Sequence, residues 1–73
     1  VGGRFMSNME IRRFKALMVK KGFVSISALA RVMGCRREAL SRKINGRSDW
    51  SRSEMEAVAR LFDENPKKVF FEE

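Results

Sequence analysis

The chain has 73 residues, 44% hydrophobic and 34% charged, with a formal net charge of +7. That is enough for one small folded domain and too few for two. One Cys and no His exclude an intramolecular disulfide and argue against a zinc site of protein ligands.

Residues 1–5, VGGRF, lack periodicity and are Gly-rich. Met6 resembles a natural start, so residues 1–5 are read as an expression-derived or disordered tail and 6–73 as one domain. Ser7-Asn8-Met9-Glu10 is a capping box that opens a first helix, with Met6 and Ile11 placed as its hydrophobic staple. Ile11, Phe14, Leu17 and Met18 recur at helical spacing and face inward. Arg12, Arg13, Lys15, Lys20 and Lys21 take the other faces, and Gly22 supplies a left-handed exit. Ser25 caps a second helix, with Val24 and Leu29 as the expected staple pair. Leu29, Ala30 and Met33 point to the core, and Gly34 permits positive φ in the turn that follows.

The third helix is expected from about Arg36 to Asn45, with Ala39, Leu40 and Ile44 inward and Asn45-Gly46 at its end. After the loop GRSDW at 46–50, the pattern of residues 6–11 repeats: Ser51 caps, Glu54 closes the box and Trp50 staples to Met55. Met55, Val58, Ala59 and Phe62 form the buried stripe of a fourth helix. Asn65-Pro66 begins a last short helix, since Pro is tolerated in a first turn. Val69 and one of Phe70/Phe71 dock onto the core, and the outward Phe contributes to a dimer patch or belongs to a flexible tail. No run alternates apolar and polar for long. The expected fold class is all-α, a compact bundle of four to five short helices containing a helix-turn-helix.

Charge follows the same division. Residues 1–53 hold 13 Lys/Arg and 3 Asp/Glu; residues 54–73 hold 3 and 6. Two short helices joined at Gly34, the second rich in Arg and Lys, suit a helix that enters a DNA major groove while the first braces it. On that helix Arg36, Arg37, Ser41 and Arg42 are the candidates for reading base edges. Arg forks onto guanine O6 and N7, and Ser serves either base type. Glu38 can accept from a cytosine amino group, or pair with Arg42 four positions on. Phosphate contacts are expected from Ser27 at the second helix start and from Lys43, Asn45, Arg47 and Ser48 beside the groove. Arg52 and Arg13 are weaker candidates, with ordinary surface charge as the competing reading. Cys35 reads as a small turn filler, with a redox role at the groove edge as the alternative.

Residues LARVMGCRREALSRKINGR and NPKKVFF, with Leu29, Ala30, Gly34, Leu40, Ile44 and Gly46 in these relative places, resemble the lambda-repressor-like helix-turn-helix family. Small phage Cro-type regulators are especially similar, over about residues 7–71. Where that family often has Gln near the start of the second helix, this chain has Ile26 and Ser27. Where it often has a Ser or Thr cap before the recognition helix, this chain has Cys35-Arg36. The resemblance implies a sequence-specific, double-stranded-DNA-binding transcriptional regulator, of Cro or repressor type, acting as a homodimer on an inverted repeat.

The rival from another class is a protein-interaction module on the same fold, antirepressor- or antitoxin-like. Such a module needs apolar anchors on the third helix, and Arg36–Lys43 offers none outward. RNA binding is disfavoured, since no aromatic stacking platform is visible. An enzyme is the least favoured class: there is no Gly-rich phosphate loop, no metal cluster and no base beside Cys35. No cofactor and no small-molecule substrate are expected. No apolar run reaches membrane-span length and no secretory signal is visible, so a cytoplasmic setting is expected.

Overall fold

The computed structural model describes residues 4–71 and contains five helices: α1 Asn8–Lys20, α2 Ile26–Met33, α3 Arg37–Ile44, α4 Arg52–Phe62 and α5 Pro66–Phe70. Four of them begin at a side-chain cap. The Ser7 and Ser51 hydroxyls accept from the amides of Glu10 and Glu54, whose carboxylates accept in return from the Ser7 and Ser51 amides, both at 2.9 Å. The Ser25 hydroxyl accepts from Ala28 N–H and the Asn65 side-chain Oδ1 from Lys67 N–H. These bonds satisfy amides that a helix start leaves without partners. α3 is the exception: Arg36 stands at its cap and makes no side-chain capping bond. The expected helix from Arg36 to Asn45 is therefore shorter by one residue at each end, both serving as caps.

The turns need glycine. Gly34 (φ 74°) ends α2, and Cys35 N–H closes back onto the Ala30 carbonyl at 3.1 Å. Gly46 (φ 77°) ends α3 where no side chain fits. A Cβ there would lie 2.7 Å from the Met6 carbonyl oxygen and 3.3 Å from Ile11 Cδ1. The N-terminal strap and α1 thus press directly on the exit of α3.

Phe14 of α1 organises the core. Its ring sits 5.6 Å from Trp50, 5.5 Å from Phe62 and 5.8 Å from Phe70, and Trp50 meets Phe70 edge-on at 5.0 Å. Tilted and edge-on rings at these separations add to the apolar burial. Leu29, Ala30, Leu40 and Ile44 extend the core under α2 and α3, and Met55, Val58, Ala59 and Val69 close it from α4 and α5. Ile11, Leu17 and Met33, expected inward, pack against its margin, and Ala39 is half-buried.

Two expectations need correction. Val24 is 78% exposed, so it does not staple to Leu29. The apolar anchor before Ser25 is Phe23, whose ring packs 5.8 Å from Phe62. The folded unit also starts earlier than Met6. Arg4 exchanges two backbone bonds with Trp50, its guanidinium donates to the Phe70 carbonyl and pairs with Glu10, and it lies 4.4 Å above the Phe71 ring. Residues 1–3 of the supposed tail fall outside the described residues. Val69 and Phe70 dock as expected and Phe71 is the outward ring.

The two capping carboxylates make stability pH-dependent. The Ser7 amide is the main cause holding Glu10 below its ordinary 4.5; burial opposes it and Arg4 assists. For Glu54 burial is the largest influence and raises it, but the Ser51 amide and hydroxyl together with Lys43 outweigh burial and leave a lowered value. A carboxylate with a depressed folded pKa stabilises fully above its unfolded value and loses that contribution as pH falls through the folded one. Urea midpoints are therefore expected to hold above about pH 5 and fall toward about pH 3. The fall should be smaller in Glu10→Gln/Glu54→Gln. An equal fall in that variant would show that other groups govern acid unfolding.

Candidate nucleic-acid interface

α3 has two faces because Leu40 and Ile44 are buried one turn apart. Glu38 and Arg42, also one turn apart, lie on the opposite side, since four residues return a helix to the same face. Arg36, Arg37, Glu38, Arg42 and Arg47 are exposed, as is Ser27 at the start of α2; Ser41, Lys43, Asn45 and Ser48 are half-buried. Of the base-reading candidates, Arg36 at the cap and Arg37, Glu38 and Arg42 on α3 are thus exposed, and Ser41 is half-buried. The loop after α3 folds Arg47 and Ser48 back onto it: their amides both donate to the Arg42 carbonyl, at 2.8 and 3.2 Å.

The electrostatics separate two kinds of cation. Lys43 pairs with Glu54 at 3.3 Å, and its carbonyl accepts from Trp50 Nε1 at 3.1 Å. It braces the end of α3 against α4. Among the described residues Arg36, Arg37, Arg42 and Arg47 have no ion-pair partner, and Glu38 does not pair with Arg42. The described ion pairs are Arg4–Glu10, Lys21–Glu64, Lys43–Glu54, Arg52–Glu56 and Lys68–Glu64. Residues 36–48 contain five Lys/Arg and one Asp/Glu. The field over this face is positive, and the uncapped first turn of α3 adds the partial positive charge of its amides. Arg52 reads as surface charge, since it pairs with Glu56 on its own helix.

Asn45 differs from its expected role. Its Nδ2 donates to the Ser41 carbonyl at 2.9 Å and to Ser41 Oγ at 3.3 Å, while its Oδ1 accepts from Lys15 Nζ at 2.9 Å. The site also includes a part of α1 that sequence reasoning missed. Asn8 and Ile11 line an open cleft with Ser41, Arg42, Asn45 and Arg47, and Lys15 reaches Asn45. The available signal was Asn8, Arg12 and Lys15 at spacings of four and three, which place polar groups on one helix face. Cys35 is a free thiol and exposed. Among the described residues no group of His, Cys, Asp and Glu could hold a metal ion, and no helix is long and apolar enough to cross a membrane.

Two eight-residue helices joined through a left-handed glycine, the second turning an arginine-rich face outward over a shared core, make this a helix-turn-helix DNA-binding domain. More particularly, the chain belongs to the Cro/C1-type HTH DNA-binding domain family, whose pattern matches residues 13–70. Comparison with curated proteins and with solved structures gives no match. Family membership makes DNA the partner and regulation of DNA-encoded functions the general role.

Proposed function

We propose that this chain is a sequence-specific transcriptional regulator that binds double-stranded DNA as a homodimer on an inverted repeat, with α3 in the major groove. The observation that carries this is the set of exposed arginines on and beside α3, Arg36, Arg37, Arg42 and Arg47, which have no ion-pair partner among the described residues. Arginines held on a rigid helix without internal partners are ready to exchange water for guanine or phosphate acceptors. Arg37 and Arg42 read guanine; Arg36 reaches the groove from the helix start; Glu38, unpaired, accepts from a cytosine amino group.

Ser27, with the first amides of α2, contacts one phosphate, and Arg47 and Ser48 contact another on the far side of the groove. Lys43 has three ammonium hydrogens and shares one with Glu54, so two remain for phosphate. Two-fold symmetry then sets the recognition helices about 34–36 Å apart, one duplex turn.

Selection of bound sequences from a random duplex pool tests the assignment. Arg37→Ala and Arg42→Ala should each cost about 1–3 kcal/mol and relax preference at one base pair of each half-site. If both variants keep wild-type affinity and preference, α3 is not the reading element. A protein-interaction role on the same fold would require apolar anchors where Glu38, Ser41 and Arg42 stand.

A further inference from the structure

We propose that Asn45 is a positioning residue that turns the Ser41 hydroxyl into a hydrogen-bond donor toward DNA. Position 41 then reads an acceptor on a base edge: purine N7, guanine O6 or thymine O4. This rests on the DNA-binding reading above and adds which atom type is read.

The argument starts from Lys15. An ammonium group only donates, so the Asn45 atom facing Lys15 Nζ at 2.9 Å must be the carbonyl oxygen. At the other end a backbone carbonyl only accepts, so the Asn45 atom 2.9 Å from the Ser41 carbonyl must be the amide nitrogen. Flipping the amide would set N–H against ammonium and oxygen against oxygen. Both ends therefore select the same orientation, which leaves the second Nδ2 hydrogen directed at Ser41 Oγ, 3.3 Å away. A serine hydroxyl has one hydrogen and two lone pairs. Asn45 occupies a lone pair, and the hydroxyl hydrogen has no acceptor among the described residues.

Serine in a helix commonly spends that hydrogen on the carbonyl four residues back. No such bond joins Ser41 to Arg37 here, and Ser41 lines the open cleft with Arg42 and Arg47. The hydrogen is free to meet an acceptor in the groove. Major-groove edges present acceptors at purine N7, guanine O6 and thymine O4, and donors at the amino groups of adenine and cytosine. With one lone pair filled and its hydrogen unspent, the hydroxyl is biased toward the acceptor set, where an unconstrained serine serves either equally. Asn45 thereby leaves the phosphate-contacting group: both its amide hydrogens are spent on Ser41.

Selection from a random duplex pool with the wild type, Ser41→Ala, Asn45→Asp and Lys15→Met tests this, with helicity and urea midpoint recorded for each. The wild type should prefer an acceptor-bearing base at one position of each half-site. Ser41→Ala should reduce that preference roughly two- to tenfold, the worth of a single hydrogen bond. Asn45→Asp should reduce it at the same position, because a carboxylate accepts the Ser41 hydrogen and turns it inward. Lys15→Met lies off α3 and removes one of the two groups that orient the amide, the Ser41 carbonyl being the other. Loosening that end should weaken the preference there whatever it does to overall affinity, which keeps the test usable if Asn45→Asp does not fold. Wild-type preference retained at that position in Lys15→Met and in folded Asn45→Asp overturns the positioning role. An unchanged profile in Ser41→Ala overturns the reading role of position 41. A wild type that selects no sequence at all overturns the proposed function itself, and this inference with it.

Discussion

Replacing Trp50 by alanine is expected to abolish the folded state at room temperature. Trp50 is fully buried and touches both Phe14 and Phe70, so its ring joins the loop after α3 to α1 and α5. Truncating a core Trp costs about 3–5 kcal/mol. A domain of this size has roughly 3–5 kcal/mol in total, so the loss matches the whole. Trp50→Phe separates the two parts of the role. It keeps an aromatic ring but removes the donor to the Lys43 carbonyl, one of the last-turn acceptors of α3. That carbonyl keeps the Gly46 amide as a partner at 3.2 Å, so losing the indole bond costs about 0.5–1.5 kcal/mol, and this variant should fold with a lowered urea midpoint. Far-UV circular dichroism and urea titration check both. A wild-type midpoint in Trp50→Ala would mean that the ring cluster is not what holds the bundle together.

The local signals in this chain are legible because each depends on neighbours three or four residues away. Ser7 with Glu10 and Ser51 with Glu54 close as capping boxes because the helix itself brings those atoms together. Met55, Val58, Ala59 and Phe62 share a buried face for the same reason. Gly34 and Gly46 mark turns because both take positive φ, which a Cβ makes costly. The recognition helix is legible too, since Leu40 and Ile44 define its inner side and leave the arginines outside.

What escaped depends on distant residues. Val24 has the right spacing for a staple, but Phe23 is larger and finds Phe62, so burial goes to the ring one position earlier. Arg4 sits in a segment without periodicity, and its place is set by Trp50, Glu10, Phe70 and Phe71, the farthest 67 residues along the chain. Charge and polarity mark Lys43 and Asn45 as phosphate contacts but do not show their partners inside the protein. In the fold Lys43 pairs with Glu54, and Asn45 bonds Lys15 and Ser41. Residue type identified the basic face; which of its polar groups are already engaged is a property of tertiary contacts.

Affinity for operator DNA is expected to fall about a thousandfold when monovalent salt rises from about 50 to about 200 mM. Each phosphate neutralised releases bound counterions, and log K falls with log salt at a slope of about −0.9 per contact. Two copies each engaging about three phosphates give a slope near −5, and a fourfold rise in salt converts this to about three decades. Arg47 offers the sharpest check because it is exposed and forms no ion pair among the described residues, so its removal breaks none of those pairs. Arg47→Ala should make the slope shallower by about 2 for a dimer and about 1 for a monomer, with an unchanged urea midpoint and equal weakening across sequences. Lys43→Ala removes a tether to α4 as well as a charge, so it should lower both the slope and the midpoint. A slope near zero, or one that Arg47→Ala leaves unaltered, would place phosphate contact on some other surface. The contrast between the two variants rests on one structural difference: Glu54 already holds the Lys43 ammonium, and no described carboxylate holds the Arg47 guanidinium.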